Sequence, residues 1–266
     1  MKQRIISAII ALIIFIPIFI LGGTIFNLAF YVLSLIGLNE FMKVRQKEKK
    51  FPDFIRLIAY LMLTLLYFKN TLNNNINFAI DYRIIAGTFL ILLLPVVLYH
   101  NEKVYNVKDA FYILGGVFFL GCSMSLFYLY RNIGLELIVF LFLITIITDT
   151  YAYLVGRLIG KTKLLESISP NKTWEGTIGG SLVGTFVCVV YYLTLINTNA
   201  SVFNVSIIVL FLSLIGQFGD LFFSAIKRKF KVKDFSNLMP GHGGVLDRLD
   251  SIIFVMLAFT FFITII

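Results

Sequence analysis

Apolar residues run along most of the chain in uninterrupted blocks, and short polar stretches separate them. The blocks reach about seventeen residues or more, enough for a helix to cross a hydrocarbon core of about 30 Å. With no water in that core, backbone groups must pair internally, which leaves helices or a closed barrel. The blocks lack the in–out alternation of barrel strands, so the pattern predicts helices. Nine spans are predicted, at 4–22, 24–39, 54–69, 83–99, 109–130, 134–156, 176–197, 202–226 and 245–265, with the first two forming a tight hairpin around Gly22-Gly23. Pro17 is tolerated inside the first span as a kink. Lys2 and Arg4 followed by apolar residues resemble a signal peptide, but the stretch is too long and no Ala-x-Ala site follows it. A retained first span is therefore expected.

Composition agrees with an all-α polytopic integral membrane protein. Of 266 residues, 59% are hydrophobic and 14% charged, which excludes a soluble domain of this length. Cys122 and Cys188 lie inside apolar runs without Cys or His neighbours, so neither a zinc site nor a disulfide framework is predicted. The net charge of +9 is explained by topology and calls for no nucleic-acid partner. Twenty of the 23 Lys and Arg residues fall on one side of a nine-span arrangement, and only Lys69, Arg83 and Arg131 on the other. The positive-inside rule then puts the N-terminus in the cytoplasm, and an even number of spans would scramble the bias. The basic run Lys43, Arg45, Lys47, Lys49 and Lys50 reads as an orientation anchor with affinity for anionic head groups. Neither an internal repeat nor a linker is seen, so one membrane domain is expected: residues 1–140 supply helices of unassigned role, and 141–266 carry the site. An inverted-repeat transporter has no support in this pattern.

Ionisable residues inside apolar spans are costly and are functional candidates. Asp149, Asp220, Asp247 and Asp250 sit within or at the ends of such spans. On a helix, Asp220 shares a face with Ser224 and with Lys227/Arg228, and Asp247 shares one with Asp250. Asp149, Tyr153 and Arg157 form a third column. Carboxylates converging from three helix ends suit a hard divalent cation such as Mg²⁺, which takes one or two carboxylates plus substrate phosphates. The alternative is that each Asp neutralises a neighbouring base, as Arg248 would for Asp247. Lys227, Arg228, Lys233 and Arg248 suit phosphate oxygens, and Pro240-Gly241-His242-Gly243-Gly244 feeds into the N-terminus of the last helix, whose dipole favours an anion. His242 reads equally as a catalytic group or as a loop-holding hydrogen bond. Gly156 to Thr162 is not a P-loop, having three residues between its glycines and no strand before it. Gly176, Gly180 and Gly184 recur every fourth residue, as on a helix-packing face.

Ser224, Lys227-Arg228, Lys233-Asp234, Ser236, Pro240, His242-Gly243-Gly244 and Asp247-Arg248-x-Asp250 together resemble the signature of the phosphatidate cytidylyltransferase (CDP-diacylglycerol synthase) family. Met239 stands where the family more usually has Leu, Ile or Phe. The stretches 149–161 and Ser169 to Gly176 resemble the family's other polar segments. The resemblance implies transfer of a cytidylyl group from CTP to phosphatidate, releasing pyrophosphate, at the cytoplasmic face of a bacterial-type inner membrane. It also implies a homodimer. On this basis Asp220 and Asp247, with Asp250 or Asp149 in the same cluster, are expected to hold Mg²⁺. Lys227, Arg228, Lys233, Arg248 and Lys172 are expected to bind triphosphate or lipid phosphate. Gly243, Gly244 and His242 would cradle a phosphate, and Asn171 and Ser169 would read cytosine or ribose. The rivals are a CTP-using enzyme with another lipid phosphate or polyprenol acceptor, and a channel or transporter with a carboxylate-lined path.

Overall fold

The computed structural model describes residues 2–46, 48–72 and 82–263. Lys47, the loop 73–81 and the end of the predicted last span, from 264, lie outside the described residues. Among the described residues nine helices stand where nine spans were predicted: α1 Lys2–Leu21, α2 Gly23–Gln46, α3 Asp53–Leu72, α4 Tyr82–Tyr99, α5 Val107–Ile133, α6 Leu135–Ile159, α7 Trp174–Leu195, α8 Val202–Lys229 and α9 Leu246–Phe259. Seven of them, α2 to α8, are long and apolar enough to cross a membrane. The apolar part of α1, Ile9–Leu21, is shorter, and α9 has only 14 residues, opening on Asp247, Arg248 and Asp250. Large apolar side chains lie exposed along the helices, among them Ile13, Leu57, Leu98, Phe186 and Phe203. Such faces are unfavourable in water and suit a lipid surround. The chain is an all-α polytopic membrane protein.

Local chemistry sets the helix ends. α1 stops at Gly22-Gly23, both at positive φ, as the hairpin prediction required. The Arg131 guanidinium donates to Phe19 O at 2.7 Å and Ile20 O at 2.9 Å, satisfying carbonyls that the end of α1 leaves open. α5 begins with a reciprocal cap: Asn106 Oδ1 accepts from Asp109 N, and Asp109 Oδ2 accepts from Asn106 N. Thr173 caps α7 by accepting from Gly176 N at 3.2 Å. The polar stretch before α7 is not simply a loop. It folds as an antiparallel hairpin of β1 (Lys163–Leu165) and β2 (Ser169–Thr173).

The chain divides into two compact units, Met1–Asn132 with Phe230–Asp247, and Ile133–Lys229 with Arg248–Ile266. In the first unit Phe26, Phe30 and Phe127 stack at centroid distances of 4.4 and 4.6 Å. Fully buried Asp109 receives Arg45 at 2.9 Å and Lys49 at 2.6 Å. Arg45 also pairs with Glu48 and lies 5.9 Å from the Phe230 ring centroid. Two members of the predicted anchor run are thus committed inside the protein. In the second unit α7 packs closely on α6 through its small residues. A Cβ on Gly180 would lie 2.6 Å from Thr148 O, and one on Gly176 would lie 2.6 Å from Ala152 O. The glycine stripe is therefore a packing face, as its spacing predicted.

Gly180→Ala must push backbone from backbone, and we expect it to lower stability by about 1–3 kcal/mol in thermal unfolding in detergent. Gly115→Ala, where an added Cβ meets nothing within 4 Å, should be neutral or stabilising by up to about 1 kcal/mol.

Candidate active site

The second unit brings acids and a base from four elements to one place. α9 approaches α8 closely because α8 carries glycines there. A Cβ on Gly219 would lie 2.7 Å from Asp250 O, and one on Gly216 would lie 3.0 Å from Val255. This approach sets the Asp250 carboxyl within hydrogen-bonding reach of Asp220. Lys172, from β2, reaches Asp220 Oδ2 at 2.7 Å and Gln217 O at 3.4 Å. Ser224 Oγ donates to Asp220 Oδ1 at 3.4 Å, on the helix face its spacing predicted. Asp149 on α6 accepts from Ser251 Oγ at 3.4 Å, and Ser251 N donates to Asp250 Oδ1 at 2.8 Å. The charges of Asp149, Asp220 and Lys227 all act on Asp250. Asp149 is exposed, and Asp220 and Asp250 are half-buried, so the cluster is open to a ligand.

Two neighbouring carboxylates repel each other unless cations or protons intervene. Lys172 and Lys227 supply part of that compensation. Among the described residues no group of three or more His, Cys, Asp or Glu is close enough to form a ready-made metal cage. Two open carboxylates side by side still fit a hard cation whose remaining ligands are substrate phosphate oxygens and water.

Other predicted residues have different surroundings. Arg228 is exposed and donates through Nε to Ile168 O at 3.2 Å, bracing the β1–β2 turn. Lys233 and Arg248 are exposed. Lys172 points to Asp220, whereas on the same irregularly paired strand Asn171 is exposed and Ser169 half-buried. In the first unit Asp247 Oδ2 accepts from Phe235 N at 2.8 Å and Gly244 N at 2.9 Å. His242 Nδ1 lies 2.7 Å from Ser7 Oγ, so the histidine does hold its loop by a hydrogen bond.

The glycine loop differs from an open phosphate cradle. His242 N and Gly243 N donate to Met239 O, Gly244 N donates to Asp247, and Val245 N and Leu246 N donate to Glu40 at 3.0 and 2.9 Å. The positive end of α9 is covered by carboxylates, as its dipole favours, but they belong to the protein itself. Sequence reasoning gave Glu40 no role and did not single out Ser251 or Gly219. One signal was available: Glu40 is an acid in the last turns of α2, the end where the dipole disfavours it.

A helical membrane protein with an open cluster of acids and lysines at its helix ends is equipped to bind phosphorylated substrates beside a lipid phase. The cytidylyltransferase family profile matches residues 2–266, and the chain belongs to that family. It is 38% identical over 257 residues to the phosphatidate cytidylyltransferase of Staphylococcus haemolyticus, covering 96% of each chain. The phosphatidate cytidylyltransferases of Staphylococcus saprophyticus subsp. saprophyticus and Staphylococcus aureus are 37% and 38% identical to it over 257 residues, again covering 96% of each chain.

Replacing Asp247 by Ala removes an acceptor shared by two buried N–H groups. We expect hydrogen exchange at Phe235 and Gly244 to accelerate, with a local loss of about 1–3 kcal/mol.

Proposed function

We propose that the protein transfers a cytidylyl group from CTP to phosphatidate, giving CDP-diacylglycerol and pyrophosphate for phospholipid synthesis. Family membership along the whole chain supports this, as do relatives of that name matched over 96% of their length. The single structural observation that carries it is the joining of Asp220, Asp250 and Lys172 at one open place.

In this reading phosphatidate arrives through the bilayer and CTP from the cytoplasm, on the side where the basic loops gather. An oxygen of the lipid phosphate attacks the α-phosphorus of CTP. The bond from that phosphorus to the oxygen bridging it to the β-phosphate breaks, and pyrophosphate leaves in line. The nucleophile is already ionised at neutral pH, so the chain need not supply a strong base. Its work is positioning and charge compensation. Lys172 and Lys227 attract the phosphate oxygens, and Arg248 draws the anionic substrates inward. Arg228 keeps the hairpin that carries Lys172 in place. Asp220 and Asp250 would hold Mg²⁺, with Asp149 beside them, while Asp247 shapes the loop of the first unit. Bound there, the cation would supply neutralisation of triphosphate charge. The homodimer implied by the family resemblance belongs to the same reading, and light scattering on the detergent-solubilised protein tests it.

The test is pyrophosphate release from CTP by purified protein in detergent. Release should require both phosphatidate and Mg²⁺. Asp220→Asn and Asp250→Asn should each lower kcat by about a hundredfold or more, with the protein still inserted and folded. Lys172→Gln should raise KM for CTP while changing stability by less than about 1 kcal/mol, because its ion pair is partly exposed. Release with another lipid phosphate or a polyprenyl phosphate, and none with phosphatidate, would contradict the acceptor. Near-normal turnover in both Asp variants would contradict the site.

A further inference from the structure

Glu40 lies near the end of α2, in the part of the chain to which no chemistry is assigned, and its side chain is almost completely buried, 2% exposed. A buried carboxylate is costly unless its lone pairs are used. Here they are used on one target. Glu40 Oε1 accepts from Ser236 Oγ at 2.6 Å and from Val245 N at 3.0 Å, and Oε2 accepts from Leu246 N at 2.9 Å. These donors come from the two ends of the 236–246 loop, some two hundred residues further along the chain. The fit leaves no room for a side chain between them: a Cβ on Gly244 would lie 2.5–2.6 Å from the Glu40 carboxylate atoms. One residue earlier, Gly243 sits at φ +86, and a Cβ there would lie 2.7 Å from Asp247 Oδ2.

We infer that Glu40 is a positioning residue for the cytidylyl transfer, acting as a remote N-cap that holds the Ser236–Asp247 loop and the start of α9 in their working conformation. It acts through the loop and touches no substrate. The inference rests on the function proposed above, because only that function makes the 236–247 conformation matter to a rate. The physical basis is independent of it. The first N–H groups of α9 have no intrahelical partners, and a carboxylate at that end is favoured by the dipole. Glu40 satisfies the first of those N–H groups, Leu246 N, and Val245 N just before it, and ties them to Ser236, so one side chain closes the loop at both ends. The glycines at 243 and 244 are then required by the closeness of the two carboxylates, and not by the approach of a phosphate to the backbone.

Glu40→Gln is the discriminating variant. It keeps size and shape, but its amide nitrogen must face either the Leu246 N–H or the Ser236 and Val245 donors, so at least one donor is stranded. Three kinds of measurement are made on purified protein in detergent: kinetics (kcat and KM for CTP), hydrogen exchange at Val245 and Leu246, and thermal unfolding. We expect exchange at one or both amides to accelerate about tenfold or more, and kcat to fall about tenfold or more in the folded fraction, with a smaller change in KM. Glu40→Ala should lose more in both. As a control, Glu48→Gln, whose carboxylate is half-exposed and paired with Arg45, should leave kcat and both exchange rates within about twofold. Unchanged exchange at both amides in Glu40→Gln and Glu40→Ala overturns the anchor. Faster exchange or a lower melting temperature with wild-type kcat overturns the positioning role and leaves Glu40 a structural cap. If wild-type protein consumes no CTP, the proposed function fails, and exchange alone then decides whether Glu40 anchors the loop.

Discussion

A carboxylate set beside another at the edge of an apolar layer is a repulsive arrangement, and it persists only where the surrounding structure forces it and cations offset it. Asp220 and Asp250 are such a pair. Two glycines on α8 let α9 come close enough to join them, and a lysine from a short hairpin lies across Asp220 at 2.7 Å. The hairpin is held by Arg228 at its turn and by the Thr173 cap where it enters α7. The rest of the second unit, down to the glycine stripe that seats α7 on α6, serves to hold these elements in register. A site built this way joins two acids whose charge is only partly offset by lysines, and it lies open.

The helices were legible from the chain alone. Uninterrupted apolarity gave the nine helices, although α2 runs on seven residues past its predicted end to Gln46 and α9 stops at Phe259, and the paired glycines at 22 and 23 gave the first turn. The β1–β2 hairpin was not legible: Ser169–Thr173 reads SPNKT, with no apolar alternation and few β-branched residues, and pairing with Lys163–Leu165 makes it a strand. At the candidate site the residue types were legible and their partners were not. The Asp220–Ser224 face follows from helix period, whereas the Asp220–Asp250 pair needs two helices to pack at Gly216 and Gly219. The glycine loop shows the limit of local reading most clearly. Its composition fits an anion cradle, yet its N–H groups are already taken by Met239, Asp247 and Glu40.

Two of the basic stretches therefore have different uses from those suggested by charge alone. Arg45 and Lys49 are drawn inward by buried Asp109. Lys172 and Lys227 stand by the acids of the second unit. Charge asymmetry can orient a protein while some of the same charges serve its packing and its site.

Divalent-cation binding tests the central claim most directly. Mn²⁺ can be followed by electron paramagnetic resonance on purified protein in detergent, with CTP present and no lipid acceptor. Binding in the wild type should weaken about tenfold or more in both Asp220→Asn and Asp250→Asn, as loss of a carboxylate ligand from a hard-cation site requires. Wild-type Mn²⁺ affinity in both variants would contradict the claim.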